Sequence, residues 1–348
     1  MAEVLSQNYQ SKLTILEAAK EYEHLREKVE AEKILHRSYL YYTIVAIGIL
    51  IALSILGYLF MNVQNPFILV ILAIALGFSL AQIGGYLHDA GHRALFKTIL
   101  MNDIAGNISA TLLAVNFNAW RLKHNLHHVA PNQHDKDPDV SIPLFTFSKK
   151  KFEMNKGIIK KIARYQAFLF YPMTCLLTYS MQFITNISYF IKVFKTKLKL
   201  WHVIELILFL IPISIWYILP FVFWGWAKAL IFVTIVPMTM GFYLSNIFAP
   251  NHKGMPELEK ETKISFLEQQ IITSRNVKGH WFTDFVYFGL NYQIEHHLFP
   301  DCPRNKLKLL TPHIKEICDR VGFDFIVLSV IQSNKTILSE LHKTAHGI

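Results

Sequence analysis

Apolar positions along this chain gather into long runs instead of alternating with polar ones. Residues 38–60 read SYLYYTIVAIGILIALSILGYLF, uncharged and opening on tyrosines; as a helix rising about 1.5 Å per residue, such a run covers the hydrocarbon thickness of a bilayer. A short uncharged turn, MNVQNP, leads into a second run over residues 67–87 that stops at His88. A third run spans 202–221, and a fourth spans 229–248 with Pro237 and Gly241 inside it, residues that membrane helices tolerate. The pattern predicts an all-α integral membrane protein with four transmembrane helices arranged as two hairpins. Residues 1–37 place Leu13, Leu16, Leu25 and Val29 among Glu and Lys, the spacing of an amphipathic helix expected to lie against the cytoplasmic face. The predicted organisation is thus an N-terminal segment over 1–37, a membrane domain over 38–325 and a cytoplasmic tail over 326–348.

Composition sharpens this picture. Hydrophobic residues make up 52% of the 348 and charged residues 17%, which excludes intrinsic disorder and argues against a purely soluble enzyme. The formal charge of +10 would suit nucleic acid on a soluble chain. Here the basic residues flank the runs: Lys149, Lys150, Lys151, Lys160, Lys161, Arg164, Lys192, Lys195, Lys197 and Lys199 all fall between the second and third. The positive-inside rule accounts for them, puts that segment and both termini in the cytoplasm, and leaves no call for a nucleic-acid partner. Glu205, the one acid inside a run, is one turn from the basic end and reads as an interface residue. Cys175, Cys302 and Cys318 form no CxxC pair and give neither a disulfide framework nor a cysteine zinc site.

The sixteen histidines change the picture most. Four groups sit at or just beyond the ends of runs, all on the predicted cytoplasmic side, in what would be a helical cap. HDAGH places His88 and His92 four residues apart on one helix face, and HNLHH does the same for His124 with His127 or His128. His252 follows the fourth run in APNHKGMP, and QIEHH sets Gln293 three and four residues before His296 and His297. Eight imidazoles exceed the four ligands of one zinc ion, so two metal ions are implied. Imidazole suits Fe, Cu, Ni or Zn, and the residues alone leave that choice open. A metal-bound imidazole normally gives its other N–H to a carboxylate or carbonyl. Asp89, Glu295 and Asn125 are the expected partners inside the boxes, with Asp135, Asp137 and Asp139 of DKDPD as candidates beyond them.

HDAGH, HNLHH and QIEHH, in this order and with two runs between the second and third, resemble the three histidine boxes of the integral-membrane fatty-acid desaturases. The Gln opening the third box, with KHNLHHVAPN, DKDPDV, FAPNHKGMP, TSRNV and GLNYQIEHHLFP, is similar to the front-end branch and to bacterial linoleoyl-CoA-desaturase-like proteins. The resemblance implies two iron ions in a non-haem di-iron centre, with O2 as co-substrate, removing two hydrogens from a long-chain acyl group carried on CoA or lipid. It carries both ligation and catalysis onto His88, His92, His124, His127, His128, His252, His296 and His297, with Gln293, standing where other branches have a histidine, as a further candidate that binds iron directly, binds it through water or only orients a neighbour. Many front-end relatives carry a fused cytochrome b5 with an HPGG motif, which is absent here. That points to a separate electron donor, ferredoxin or cytochrome b5 with its reductase, and to a bacterial plasma membrane over the endoplasmic reticulum. A hydroxylase or ketolase on the same metal core is the competing reading. HExxH is absent, which argues against a metalloprotease, and spans nearly free of ionisable residues argue against a metal transporter.

Overall fold

The structure, a computed structural model, describes residues 4–5, 9–140 and 145–347. Residues 1–3 and 6–8 of the predicted N-terminal segment, and residue 348 of the predicted tail, lie outside the described residues. Among those described, four helices are long and apolar enough to cross a membrane: Tyr39–Asn62, Pro66–Gly91, Leu200–Phe223 and Trp226–His252. The broken helix pair Gln166–Thr174 and Leu177–Phe194 also passes that test as one bent span. The sequence pattern missed it because residues 165–191, although uncharged, scatter Gln166, Pro172, Thr174, Thr178, Ser180, Gln182, Thr185 and Asn186 among the apolar positions, so no continuous apolar run stands out. By contacts the chain forms two compact units interleaved in sequence.

One unit comprises Arg37–Leu122 and Pro172–Ser245. Its first two long helices are joined by the turn at Asn65, whose side chain accepts from the N–H groups of Phe67 and Ile68 while Pro66 occupies the first helical position. Tyr86 donates to the carbonyl of Tyr42 at 2.5 Å, fastening the hairpin at its other end. Small residues set the next contact: a Cβ on Gly77 would lie 2.7 Å from Thr239 Cβ and 2.8 Å from the Val236 carbonyl oxygen. Only glycine permits that approach, the small-residue packing usual between membrane helices. Gln82 donates to Tyr243 across the same pair at 2.7 Å. Lys228 donates to the carbonyls of Met61 and Val63, capping the first long helix where its C-terminal carbonyls lack helical partners. Glu205, expected at the membrane interface, is buried within the protein. It accepts from Asn118 at 2.6 Å and from Tyr189 at 3.1 Å, the compensation that a buried carboxylate requires.

The other unit comprises Met1–His36, Lys123–Tyr171 and Asn246–Ile348. Its core joins Leu25 and Val29 of the Ile15–Ala31 helix to Ile271, Leu298, Phe299, Leu310, Ile314 and Cys318. The Ile15–Ala31 helix starts at a capping box between Thr14 and Glu17 and buries Ala18, Leu25 and Val29. Leu25 and Val29 of the stripe expected to face a membrane surface are therefore covered by protein while Leu16 stays exposed, and Tyr22 donates from the same helix to the Leu298 carbonyl at 2.7 Å. Two short parallel strand pairs, Val4–Leu5 with Glu257–Leu258 and Asn276–Val277 with Val327–Leu328, tie distant segments together. The Val330–His346 helix closes the unit from a Ser329–Gln332 capping box, and Gln166 donates to its Leu341 carbonyl.

Candidate metal centre

Three segments of this second unit bring six of the predicted histidines together. Phe117–Val129 carries His124, His127 and His128, Trp226–His252 ends on His252, and the six-residue Gln293–Leu298 helix carries His296 and His297. Helical spacing puts His124, His127 and His128 on one side. Donor atoms of His127, His252 and His297 lie within 4.8 Å of one another, and so do those of His124, His128 and His296. Within the first trio the ring centroids are 4.7 to 5.1 Å apart. In the second, the Nε2 atoms of His128 and His296 are 3.1 Å apart.

Each ring of the first trio is oriented through Nδ1. His127 Nδ1 meets Asp137 Oδ2 at 2.9 Å, His252 Nδ1 meets the Thr273 carbonyl at 3.1 Å, and His297 Nδ1 meets Gln270 Oε1 at 2.7 Å. All three partners accept, so Nδ1 carries the proton and Nε2 keeps the lone pair that a metal uses. Burial opposes a charge on His127, but the charge and hydrogen bond of Asp137 outweigh it and raise the imidazole pKa. The same polarisation makes the ring a stronger donor to a cation. Asp137 is itself fixed by the N–H groups of Asn132 and Asp139, both at 2.8 Å. Three buried imidazoles whose donor atoms lie this close, with Nε2 left as the lone-pair nitrogen, form a donor set that fits a metal ion of imidazole preference. His127, Asp137 and Asp139 also approach one another closely, but Asp139 is paired with Lys123 at 2.7 Å, which makes this trio a support for the ring.

The first box lies in the other unit. There His88 and His92 stack edge to face at 4.8 Å, and His88 Nδ1 meets Asp89 Oδ1 at 3.0 Å. Tyr42 donates to the second oxygen of Asp89 at 2.6 Å.

Two residues expected behind imidazoles are placed differently. Glu295 accepts from Asn276 Nδ2 at 2.7 Å and from the Thr311 hydroxyl, so it anchors the third-box helix to its surroundings. Burial pushes its pKa up to about 7 against those hydrogen bonds. Asn125 is exposed, because one residue along a helix turns it about 100° from His124. Asp137, one of three candidates in DKDPD, is the carboxylate that reaches a ring. Gln270 and the Thr273 carbonyl went unforeseen: one of two neighbouring glutamines in the short Phe266–Ile272 helix and a backbone oxygen announce no ligand support. Among the basic residues near the boxes, Arg121 pairs with Asp103 at 2.7 Å.

A family model for fatty acid desaturase matches residues 65–328, about three quarters of the chain and all four histidine groups. The chain belongs to the fatty acid desaturase family. It is 30% identical over 76% of its length to an acyl-lipid (9-3)-desaturase of Physcomitrium patens, of which it covers 51%. It is 28% identical to Delta(8)-fatty-acid desaturase 2 of Arabidopsis thaliana, over 87% of this chain and 69% of that one. A Delta(6)-fatty-acid desaturase of Caenorhabditis elegans is also 28% identical, over 94% of this chain and 75% of that one. The chain thus spans about half the length of the moss relative. Within this family member, the matched stretch leaves out the Ile15–Ala31 and Val330–His346 helices that complete the unit around the imidazoles.

Proposed function

We propose that this protein is an O2-dependent membrane desaturase that introduces a cis double bond into a long-chain fatty acyl group, carried on CoA or lipid. The observation that carries the reading is the pair of three-histidine groups, His127 with His252 and His297, and His124 with His128 and His296. His88 and His92 join the proposed ligand set through their box spacing and the family, giving eight histidines for two iron ions. With O2, two protons and two electrons from a ferredoxin or cytochrome b5 type donor, such a pair of ions would supply the oxidising power to remove two hydrogens from an unactivated methylene pair, both oxygen atoms leaving as water. The chain's own contribution is to keep the ligand atoms ready: Asp137, Gln270 and the Thr273 carbonyl fix the tautomer and angle of three rings. Burial of His127, His252, His296 and His297 keeps bulk water away from them. The names of the Delta(6) and Delta(8) relatives, together with Gln293, support a bond placed on the carboxyl side of an existing one. The four apolar helices support a membrane location, and the basic segments support cytoplasmic termini.

The test is the fatty-acid profile of a linoleate-fed host expressing the wild type or His297→Ala, read by gas chromatography and mass spectrometry after double-bond derivatisation. A new unsaturated acyl species that depends on His297 is the expected result. A hydroxylated or keto product in its place would transfer the reading to an oxygenase on the same ligands.

A further inference from the structure

Gln293 is buried, and its amide is the middle link of a hydrogen-bonded chain whose direction is set independently at both ends. At one end is Asn251, fully buried, whose Nδ2 lies 2.9 Å from the Leu290 carbonyl and 3.0 Å from the Ile247 carbonyl. Backbone carbonyls only accept, so that terminus of Asn251 is its NH2 group. The same nitrogen lies 2.9 Å from Gln293 Oε1, which must therefore be the oxygen of the Gln293 amide. At the other end, the Thr273 carbonyl accepts from His252 Nδ1, leaving His252 Nε2 with a lone pair. Gln293 Nε2 lies 2.9 Å from that atom and donates to it. Read from Leu290 or from Thr273, the sequence of donors and acceptors is the same. Turning the Gln293 amide over would set NH2 against NH2 at Asn251 and oxygen against a lone pair at His252.

We infer that Gln293 is a hydrogen-bond donor into the metal site and not one of its ligands. Its oxygen is committed to Asn251, and its NH2 is aimed at the ligand nitrogen of His252, beside the position where the His127, His252 and His297 lone pairs converge. A metal ion held by the His252 lone pair would take that acceptor from the Gln293 N–H and leave the N–H free to donate to a small anion beside it. A histidine at this position would add a ligand to the ion; glutamine held in this orientation adds a donor beside it. Asn251 is the positioning residue, acting only through Gln293.

This inference rests on the metal-centre reading, and the experiment separates the two. The full-length protein, purified in detergent and loaded with iron, is assayed for iron per chain, for the nitrogen and oxygen coordination number by X-ray absorption, and for azide affinity by optical titration of the ferric form. The wild type is compared with Gln293→Leu and Gln293→Glu. A donor role predicts wild-type iron content and coordination number in Gln293→Leu, with azide binding weakened about tenfold or more, the scale of one lost hydrogen bond to a charged ligand. Gln293→Glu, which keeps an acceptor for Asn251 but presents no donor to the site, is expected to lower azide affinity as well. Loss of about one iron, or of one oxygen ligand, in Gln293→Leu overturns the donor role and makes Gln293 a ligand while the metal centre stands. Unchanged azide affinity in both variants overturns it too. A wild type that takes up no iron removes the metal-centre reading and this inference with it.

Discussion

Asp137, in the loop after the second box, and Glu295, inside the third, are both buried carboxylates close in sequence to histidines, yet they serve different ends. Asp137 is ten residues from His127 and holds its ring, while Glu295 is adjacent to His296 and holds the backbone that carries it. Proximity along the chain therefore says little about which acid supports an imidazole. On a short helix the residue before a ligand points about 100° away from it, toward whatever packs on the helix's other side. A loop that doubles back, as Asn132 to Asp139 does under the constraint of two N–H groups on Asp137, can return a carboxylate to a ring ten residues away.

Mutations that separate ring support from helix support will break or sharpen this contrast. The largest effect is expected from His127→Ala, which deletes both the ligand and the group that Asp137 serves: product formation should fall below detection and iron content by about one ion per chain, as measured by gas chromatography and elemental analysis. Wild-type yield from that variant would remove His127 from the centre. Asp137→Ala should lower iron affinity by about ten- to a hundredfold, the usual effect of losing a partner behind a metal-bound imidazole; competition with a chelator measures it, and an unchanged affinity would reduce Asp137 to a loop anchor. For Glu295→Ala the balance reverses, with iron still bound but the melting temperature lowered, since Asn276 and Thr311 lose their buried acceptor at about 1–3 kcal/mol. If iron affinity falls as far there as in Asp137→Ala, the two carboxylates are not distinct in role. The smallest effect belongs to Asn125→Ala, an exposed change expected to move stability by less than about 0.5 kcal/mol and iron affinity not at all.

Much of the centre could be read from residue spacing. Imidazoles three or four apart on a helix share a face whatever the rest of the molecule does, which is why HNLHH and QIEHH point their rings inward as expected. The four long apolar helices were equally legible, because an uncharged run of that length has few alternatives to spanning a bilayer. The bent pair Gln166–Thr174 and Leu177–Phe194 was not, since its apolar stretch is broken by a turn and interspersed with uncharged polar residues such as Gln182 and Asn186. Nor was the partner of the Ile15–Ala31 helix: an amphipathic stripe announces that something apolar covers it, and a lipid surface or a protein core satisfies it alike.

The sequence alone determined what depends on local period and on chemical type, namely the apolar helices, the one-sided histidine boxes and the preference of imidazole donors for a transition metal. Tertiary structure decided what depends on contacts between distant segments: Gln270 behind His297, Thr273 behind His252, Asn251 orienting Gln293, and the different destinations of Asp137 and Glu295. The physical reason is directionality. A hydrogen bond tests the angle and identity of one particular partner, and in this protein that partner is most often a backbone carbonyl or an amide with no motif of its own, brought into place only by the packing of the whole unit.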